Sequence, residues 1–164
     1  MIEAEFISKF DDADAVDMSD TTTNITEENI KELHILADRY PQAQSAIIPM
    51  LHLVQSIDGK VSGEGVRHIA RILDLPEAVV LGVVTFYTMF HKEAVGKHLI
   101  GVCTTSLCAV MGGDMVYETV RKHLGLDGEG TTEDGAFTLE RVECNAACDF
   151  APVMMLNWEF MDNM

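Results

Sequence analysis

The chain has 164 residues, a size that suits one domain or one domain with an appendage, and 48% of them are apolar, enough for a core. With 27 acidic residues against 11 basic ones, its net charge of −16 repels a phosphate backbone and argues against nucleic-acid binding; it serves solubility or steering toward a basic partner surface. No apolar run approaches about 18 residues, so no membrane-spanning helix and no direct membrane insertion are expected.

The N-terminal stretch MIEAEFISKFDDADAVDMSD holds seven acids and one lysine, unlike either a secretory signal or a mitochondrial transit peptide. A bacterial cytoplasmic setting is expected, on the membrane face where a partner anchors the chain. Residues 1–25 end in DTTTN without any sustained period and are expected to form an acidic, flexible tail.

From Thr26 the pattern turns helical. Thr26 is a candidate N-cap with Glu27 and Glu28 in the first turn, and Ile30, Leu33, Ile35, Leu36 and Ala37 form an apolar stripe that stops before Pro41. Ala46, Ile47, Met50, Leu51 and Val54 mark a second helix over 42–57, with Pro49 as a candidate kink. Ser62 is the cap of a third, striped by Val66, Ile69, Ala70, Ile72 and Leu73, and Pro76 suits the first turn of a fourth, PEAVVLGVVTFYTMF. Residues 26–92 therefore read as a small helical bundle without a catalytic constellation.

Near residue 96 the character changes. KHLIGVC is a strand candidate; SLCAVMGGDMVYETVRKHLG is a helix ended by Gly125; DGEGTTEDG is a loop; FTLERVE and PVMMLNW are two further strands. The order strand, helix, strand, strand makes residues 96–164 a small α/β layer. Cys103 falls at a strand end, Cys108 near a helix start, and Cys144 and Cys148 in the loop between the last two strands, where strands meet loops and chemistry gathers.

These four cysteines form C-x4-C, thirty-five residues, then C-x3-C. In a cytosolic chain such pairs point to metal or redox chemistry before structural disulfides. Neither pair has the C-x-x-C spacing of a thioredoxin-like dithiol, although Cys108 near a helix start is suited to a lowered thiol pKa. A zinc knuckle is allowed by the spacing, and a buried structural set remains open. A [2Fe–2S] cluster fits best, because it takes four thiolates in two pairs, one per iron; a [4Fe–4S] run packs three cysteines within a few residues, and the histidines at 34, 52, 68, 91, 98 and 123 show no Rieske pattern. The amides of TTSLC would offset part of a cluster's negative charge, while Glu143 and Asp149 would lower its reduction potential. No dinucleotide fingerprint, P-loop or Ser–His–Asp order is readable, so the chain is expected to bind no NAD and to have no catalytic site of its own.

The segments LVQSIDGKVS, GVVTFYTMFHKEAVGKHLIGVC, CTTSLC and ECNAACDFAP together resemble the thioredoxin-like [2Fe–2S] ferredoxin subunits of bacterial respiratory complex I, the NADH:quinone oxidoreductase, over roughly residues 26–160. The resemblance implies an α/β fold in which a small helical bundle precedes a thioredoxin-like [2Fe–2S] ferredoxin domain. It implies Cys103, Cys108, Cys144 and Cys148 as ligands of one [2Fe–2S] cluster, and Pro152 as the proline that follows the second pair. It also implies electron exchange with the FMN of a neighbouring flavin- and NADH-binding subunit, so that FMN and NAD belong to that partner, together with contacts to other peripheral-arm subunits of complex I. The expected location is the cytoplasmic side of the bacterial inner membrane, peripheral as part of a complex. Related domains serve NAD-linked hydrogenases and formate dehydrogenases, which keeps an equivalent diaphorase subunit as the alternative host, and a zinc-stapled interaction module as the alternative from another class. Members of the family continue past the last hairpin into a further helix, whereas this sequence ends at NWEFMDNM.

Overall fold

In a computed structural model, which describes residues 15–164, the chain divides into two compact units, Met1–Ala94 and Val95–Met164. The first is helical. Thr26 caps α1 (Glu27–Ala37) in a reciprocal box: its hydroxyl accepts from the Asn29 N–H, and the Asn29 side-chain oxygen accepts from the Thr26 N–H at 2.9 Å. A single 3-10 turn, Ala43–Ala46, leads into α2 (Ile47–Asp58). Pro49 does not kink this helix. It is the third helical residue, where the backbone N–H has no intrahelical acceptor to lose.

Ser62 caps α3 (Gly63–Leu73), accepting from the Gly65 N–H at 3.1 Å. Pro76 is the N-cap of α4 (Glu77–Phe86) rather than a first-turn residue, and that helix ends before Tyr87, shorter than its apolar run suggested. The four helices meet in one core that includes Leu33, Met50, Leu51, Val54, Ile69 and Val80, all fully buried, whereas Ile35, expected on the apolar stripe of α1, is exposed.

Of the expected flexible tail, residues 1–14 lie outside the described residues, and residues 15–25 are packed. Val16 is buried in the helical core, with Met18 and Ile25 against it. The Asp58 carboxylate accepts from the Thr23 hydroxyl at 2.9 Å, the Asn24 N–H at 2.7 Å and the Ser62 hydroxyl at 2.6 Å, and Arg67 donates to the Met18 carbonyl. The acidic composition hid three apolar anchors, Val16, Met18 and Ile25, spaced too irregularly to register as a period.

The segment after α4 is tied down through Gln55, which accepts from the His91 N–H at 2.7 Å and donates to the Met89 carbonyl at 3.0 Å. Burial holds the His91 imidazole below its ordinary value of 6.5. A base with a depressed folded pKa binds fewer protons folded than unfolded, so its contribution is complete above about pH 6.5 and is lost as the pH falls below it. The urea midpoint is therefore expected to drop between pH 7.5 and 5.5, and to drop less in His91→Gln; equal slopes would refute this origin.

The second unit is a mixed sheet with helices. β1 (His98–Cys103) is followed by α5 (Ser106–Val110) and α6 (Gly113–Leu124), then β2 (Gly130–Thr131), β3 (Phe137–Val142), a 3-10 turn Cys148–Phe150, β4 (Met154–Leu156) and β5 (Glu159–Met161). The strand order is β2-β3-β1-β4-β5. Among the described residues β1 and β3 run parallel and the other neighbours are antiparallel. The sequence suggests one helix where α5 and α6 stand, but Gly112 breaks it in a left-handed conformation (φ 106°) that a side chain strongly disfavours. Two strands were not expected: β2, inside the glycine-rich loop, and β5, which returns after a two-residue turn at Asn157 and Trp158. Ile100, Val102, Tyr117 and Leu139 form the core between α6 and the sheet. Among the described residues no helix is long and apolar enough to cross a membrane.

Candidate metal centre

The parallel register of β1 and β3 brings the two cysteine pairs into one region. Cys103, the last residue of β1, stands opposite Val142, the last residue of β3, so the loops that carry Cys108 and Cys144 leave the same sheet edge side by side. The Thr105 hydroxyl donates to the Glu143 carbonyl and joins the loops directly. On the other side, the Cys103 N–H donates to the Val153 carbonyl at 3.2 Å, bringing in the chain just before β4. α6 is braced over this edge by Arg141, which pairs with Asp114 at 2.6 Å and lies 3.8 Å above the Tyr117 ring.

The pairs differ in environment. Cys103 and Cys108 are each 2% exposed and pack with Val153, Val142, Ala147 and Ala151. Cys144 and Cys148 are exposed, and all four thiols are free. Both loops hold a non-glycine residue in left-handed backbone, Ser106 (φ 43°) and Ala146 (φ 52°), conformations that cost about 1–2 kcal/mol each and that gather at functional sites. The local turn at Ala146 aims its N–H at the Cys144 sulfur, 3.3 Å away.

Burial pushes the Cys103 thiol up, but the Thr105 and Asn145 backbone N–H groups, then Thr105 Oγ1 (3.7 Å from the sulfur) and the Cys108 thiol, outweigh it, and the net direction is down. Burial raises the Cys108 thiol; the Val153 N–H opposes this, and the Cys103 and Cys148 sulfurs add to it. Three backbone amides, of Thr105, Asn145 and Val153, therefore favour the thiolate form of the inner pair. Sequence reasoning missed two of them, Asn145 and Val153, whose adjacency to cysteine or proline in sequence carries no sign of where their N–H groups point.

The donor set fits a two-iron, all-thiolate group. Four unpaired thiols stand on adjacent loops with N–H donors toward sulfur, and Asn145 Nδ2, on the Cys144–Cys148 loop, is buried with no hydrogen-bond partner. Among the described residues no three His, Cys, Asp or Glu side chains converge closely enough to hold one metal ion. A zinc site asks four ligands of one centre, whereas a [2Fe–2S] group asks for two pairs. The inner pair is pressed from behind by α6: a Cβ on Gly113 would lie 2.5 Å from the Cys103 carbonyl oxygen and 2.9 Å from that of Cys108. Asp149 and Asp162 line a hollow beside Cys148, with Phe150 and Phe160. His98 lies at the far end of β1, its ring against Phe137, consistent with an ordinary strand residue.

Comparison with known proteins agrees with this geometry. The family model for the thioredoxin-like [2Fe–2S] ferredoxin matches residues 33–164. The E subunit of the NADH-quinone oxidoreductase of Mycobacterium tuberculosis is 51% identical over 125 residues, which cover 76% of this chain and 50% of that protein. A second E-type subunit, from the NADH-quinone oxidoreductase of Rhizobium meliloti, is 36% identical over 134 residues, covering 82% of this chain and 80% of that one. The chain thus spans about half the length of the mycobacterial relatives it matches. The crystal structure of an NAD+-reducing [NiFe]-hydrogenase in the H2-reduced state shares the fold at a TM-score of 0.65 and 15% identity, over 76% of this chain and 21% of that one. Family match, fold and donor set agree on one [2Fe–2S] cluster as the cofactor, and the chain belongs to the thioredoxin-like [2Fe–2S] ferredoxin family.

Proposed function

We propose that this chain is the electron-transfer subunit of an NADH:quinone oxidoreductase, and that Cys103, Cys108, Cys144 and Cys148 hold its [2Fe–2S] cluster. When bound, such a cluster accepts and releases one electron at a time. The observation that supports the reading is the parallel register of β1 and β3, from whose adjacent ends the loops of the two cysteine pairs leave, joined by the Thr105 hydroxyl on the Glu143 carbonyl.

The protein's own residues have separable tasks in this reading. The Thr105, Asn145 and Val153 amides favour the thiolate form that ligation requires and offset negative charge. Val142, Ala147, Ala151 and Val153 exclude water from the inner pair. The exposed loop of Cys144 and Cys148 leaves the site open at the surface, where a flavin- and NADH-binding subunit can approach. FMN and NAD belong to that neighbour, and the complex, with its other peripheral-arm subunits, lies on the cytoplasmic face of the bacterial membrane.

Anaerobic purification of the full chain tests the reading. About two irons and two sulfides per chain and a reducible rhombic EPR signal are expected, with a flavin- and NADH-binding subunit co-purifying from cells. A colourless protein with one zinc would overturn it, and a hydrogenase or formate dehydrogenase flavoprotein as the co-purifying partner would reassign the host.

A further inference from the structure

Among the described residues, Asn145 Nδ2 is the one buried side-chain nitrogen or oxygen without a hydrogen-bond partner. Leaving such a donor unpaired costs on the order of 1–3 kcal/mol, so a native structure that buries one calls for an acceptor. Asn145 lies between Cys144 and Cys148, on the loop whose Ala147 packs against Cys103 and Cys108. Its neighbours Cys144, Ala146 and Cys148 are all exposed, while its amide nitrogen is sealed from water. The Thr105 hydroxyl already donates to the Glu143 carbonyl, and the Ala146 N–H to Cys144, so the polar groups nearest in the loop are paired with each other. The acceptors that a cluster would bring to this loop are sulfurs.

We propose that the Asn145 side-chain amide is a positioning and tuning group for the cluster, donating an N–H···S hydrogen bond to one of its sulfurs and holding the reduction potential above the value that the acids around it would set. The inference rests on the cluster reading above. An all-thiolate [2Fe–2S] group is negative and becomes more negative on reduction, so a donor to sulfur stabilises the reduced form more than the oxidised one. Glu143 and Asp149, adjacent in sequence to the outer cysteines, act in the opposite direction. The backbone amides are present whatever the side chain; Asn145 Nδ2 is the donor that a substitution removes without touching a ligand.

The test is the cluster's midpoint potential in the full chain, read by EPR-monitored redox titration, with iron and sulfide counted first. Asn145→Leu, which keeps size and removes both N–H groups, is expected to lower the reduced-to-oxidised ratio at fixed ambient potential about tenfold, equivalent to about 59 mV for a one-electron couple. Asn145→Gln, which retains an amide, is expected to recover most of that shift. If leucine prevents cluster assembly, Asn145→Ala reads the same loss, and the wild-type chain labelled with nitrogen-15 in its asparagine side-chain amides gives an independent reading: pulsed EPR is expected to detect coupling between the label and the reduced cluster. Full cluster content with an unmoved potential, or no coupling to the label, overturns the role of Asn145 while leaving the cluster reading intact. A wild-type chain without iron and sulfide overturns both.

Discussion

Cys103→Ser is expected to yield a folded chain that holds little or no cluster. Iron and sulfide, about two each per wild-type chain, are expected to fall roughly tenfold or more, since loss of groups that merely support a ligand already costs 10–100-fold in metal affinity. The environment of this sulfur sets the size of the effect. It is 2% exposed, and the Thr105 and Asn145 backbone amides help to bring its thiol below the ordinary value despite that burial. A serine oxygen is a harder ligand with a shorter bond to carbon, and at this buried strand end the backbone cannot advance to compensate, because the Cys103 N–H is held by the Val153 carbonyl. Metal analysis and visible absorbance after anaerobic purification decide the matter, with far-ultraviolet circular dichroism to show that the fold is retained. An unchanged spectrum would remove Cys103 from the ligand set.

The second large effect falls on a residue that contributes no ligand. Gly113→Ala is expected to destabilise the ferredoxin unit by about 1–3 kcal/mol, the usual cost of overpacking, and to lower cluster retention as well. The new methyl would meet the carbonyl oxygens of Cys103 and Cys108 and the Cys108 carbonyl carbon at 2.5, 2.9 and 3.1 Å, all backbone atoms with no rotamer to escape into. Either α6 withdraws from the sheet edge or the loop between the two cysteines shifts, and both outcomes disturb the inner pair. Gly128→Ala is the control: nothing lies within 4 Å of its Cβ position, so a change within about 0.5 kcal/mol is expected. Urea midpoints and iron content, measured together on both variants, test the idea. A Gly113→Ala protein with wild-type stability and full cluster content would sink it.

The parts of the fold that were legible are those written in short-range chemistry. Thr26 and Ser62 announced their helices because a hydroxyl before a run of apolar period has a local acceptor role to play. The helical stripes, the core strand β1 and the separation of the cysteines into two pairs could be read for the same reason. Features decided by distant partners could not. Residues 15–25 looked like part of a tail because their composition is acidic, yet Val16 is held by a core assembled from helices beyond residue 26. β5 was invisible because its hairpin turn places Asn157 (φ 49°) and Trp158 (φ 71°) in left-handed backbone, and a tryptophan there gives none of the glycine signal that marks such turns. In the candidate site, the two cysteine pairs and their spacing are visible in the sequence. The importance of Asn145, Val153 and Gly113 is not, since it lies in where a backbone amide points or how near a carbonyl stands. The break at Gly112 is the intermediate case: two adjacent glycines were visible, but the apolar stripe on either side outweighed them.

The strand order leaves β2 and β5 at the margins of the sheet, and they are two and three residues long. A margin of that length offers a neighbouring chain almost no ladder to extend, and the net charge of −16 repels another copy before contact. A ferredoxin unit made in this way can wait, unassembled, at appreciable concentration without polymerising through its own sheet.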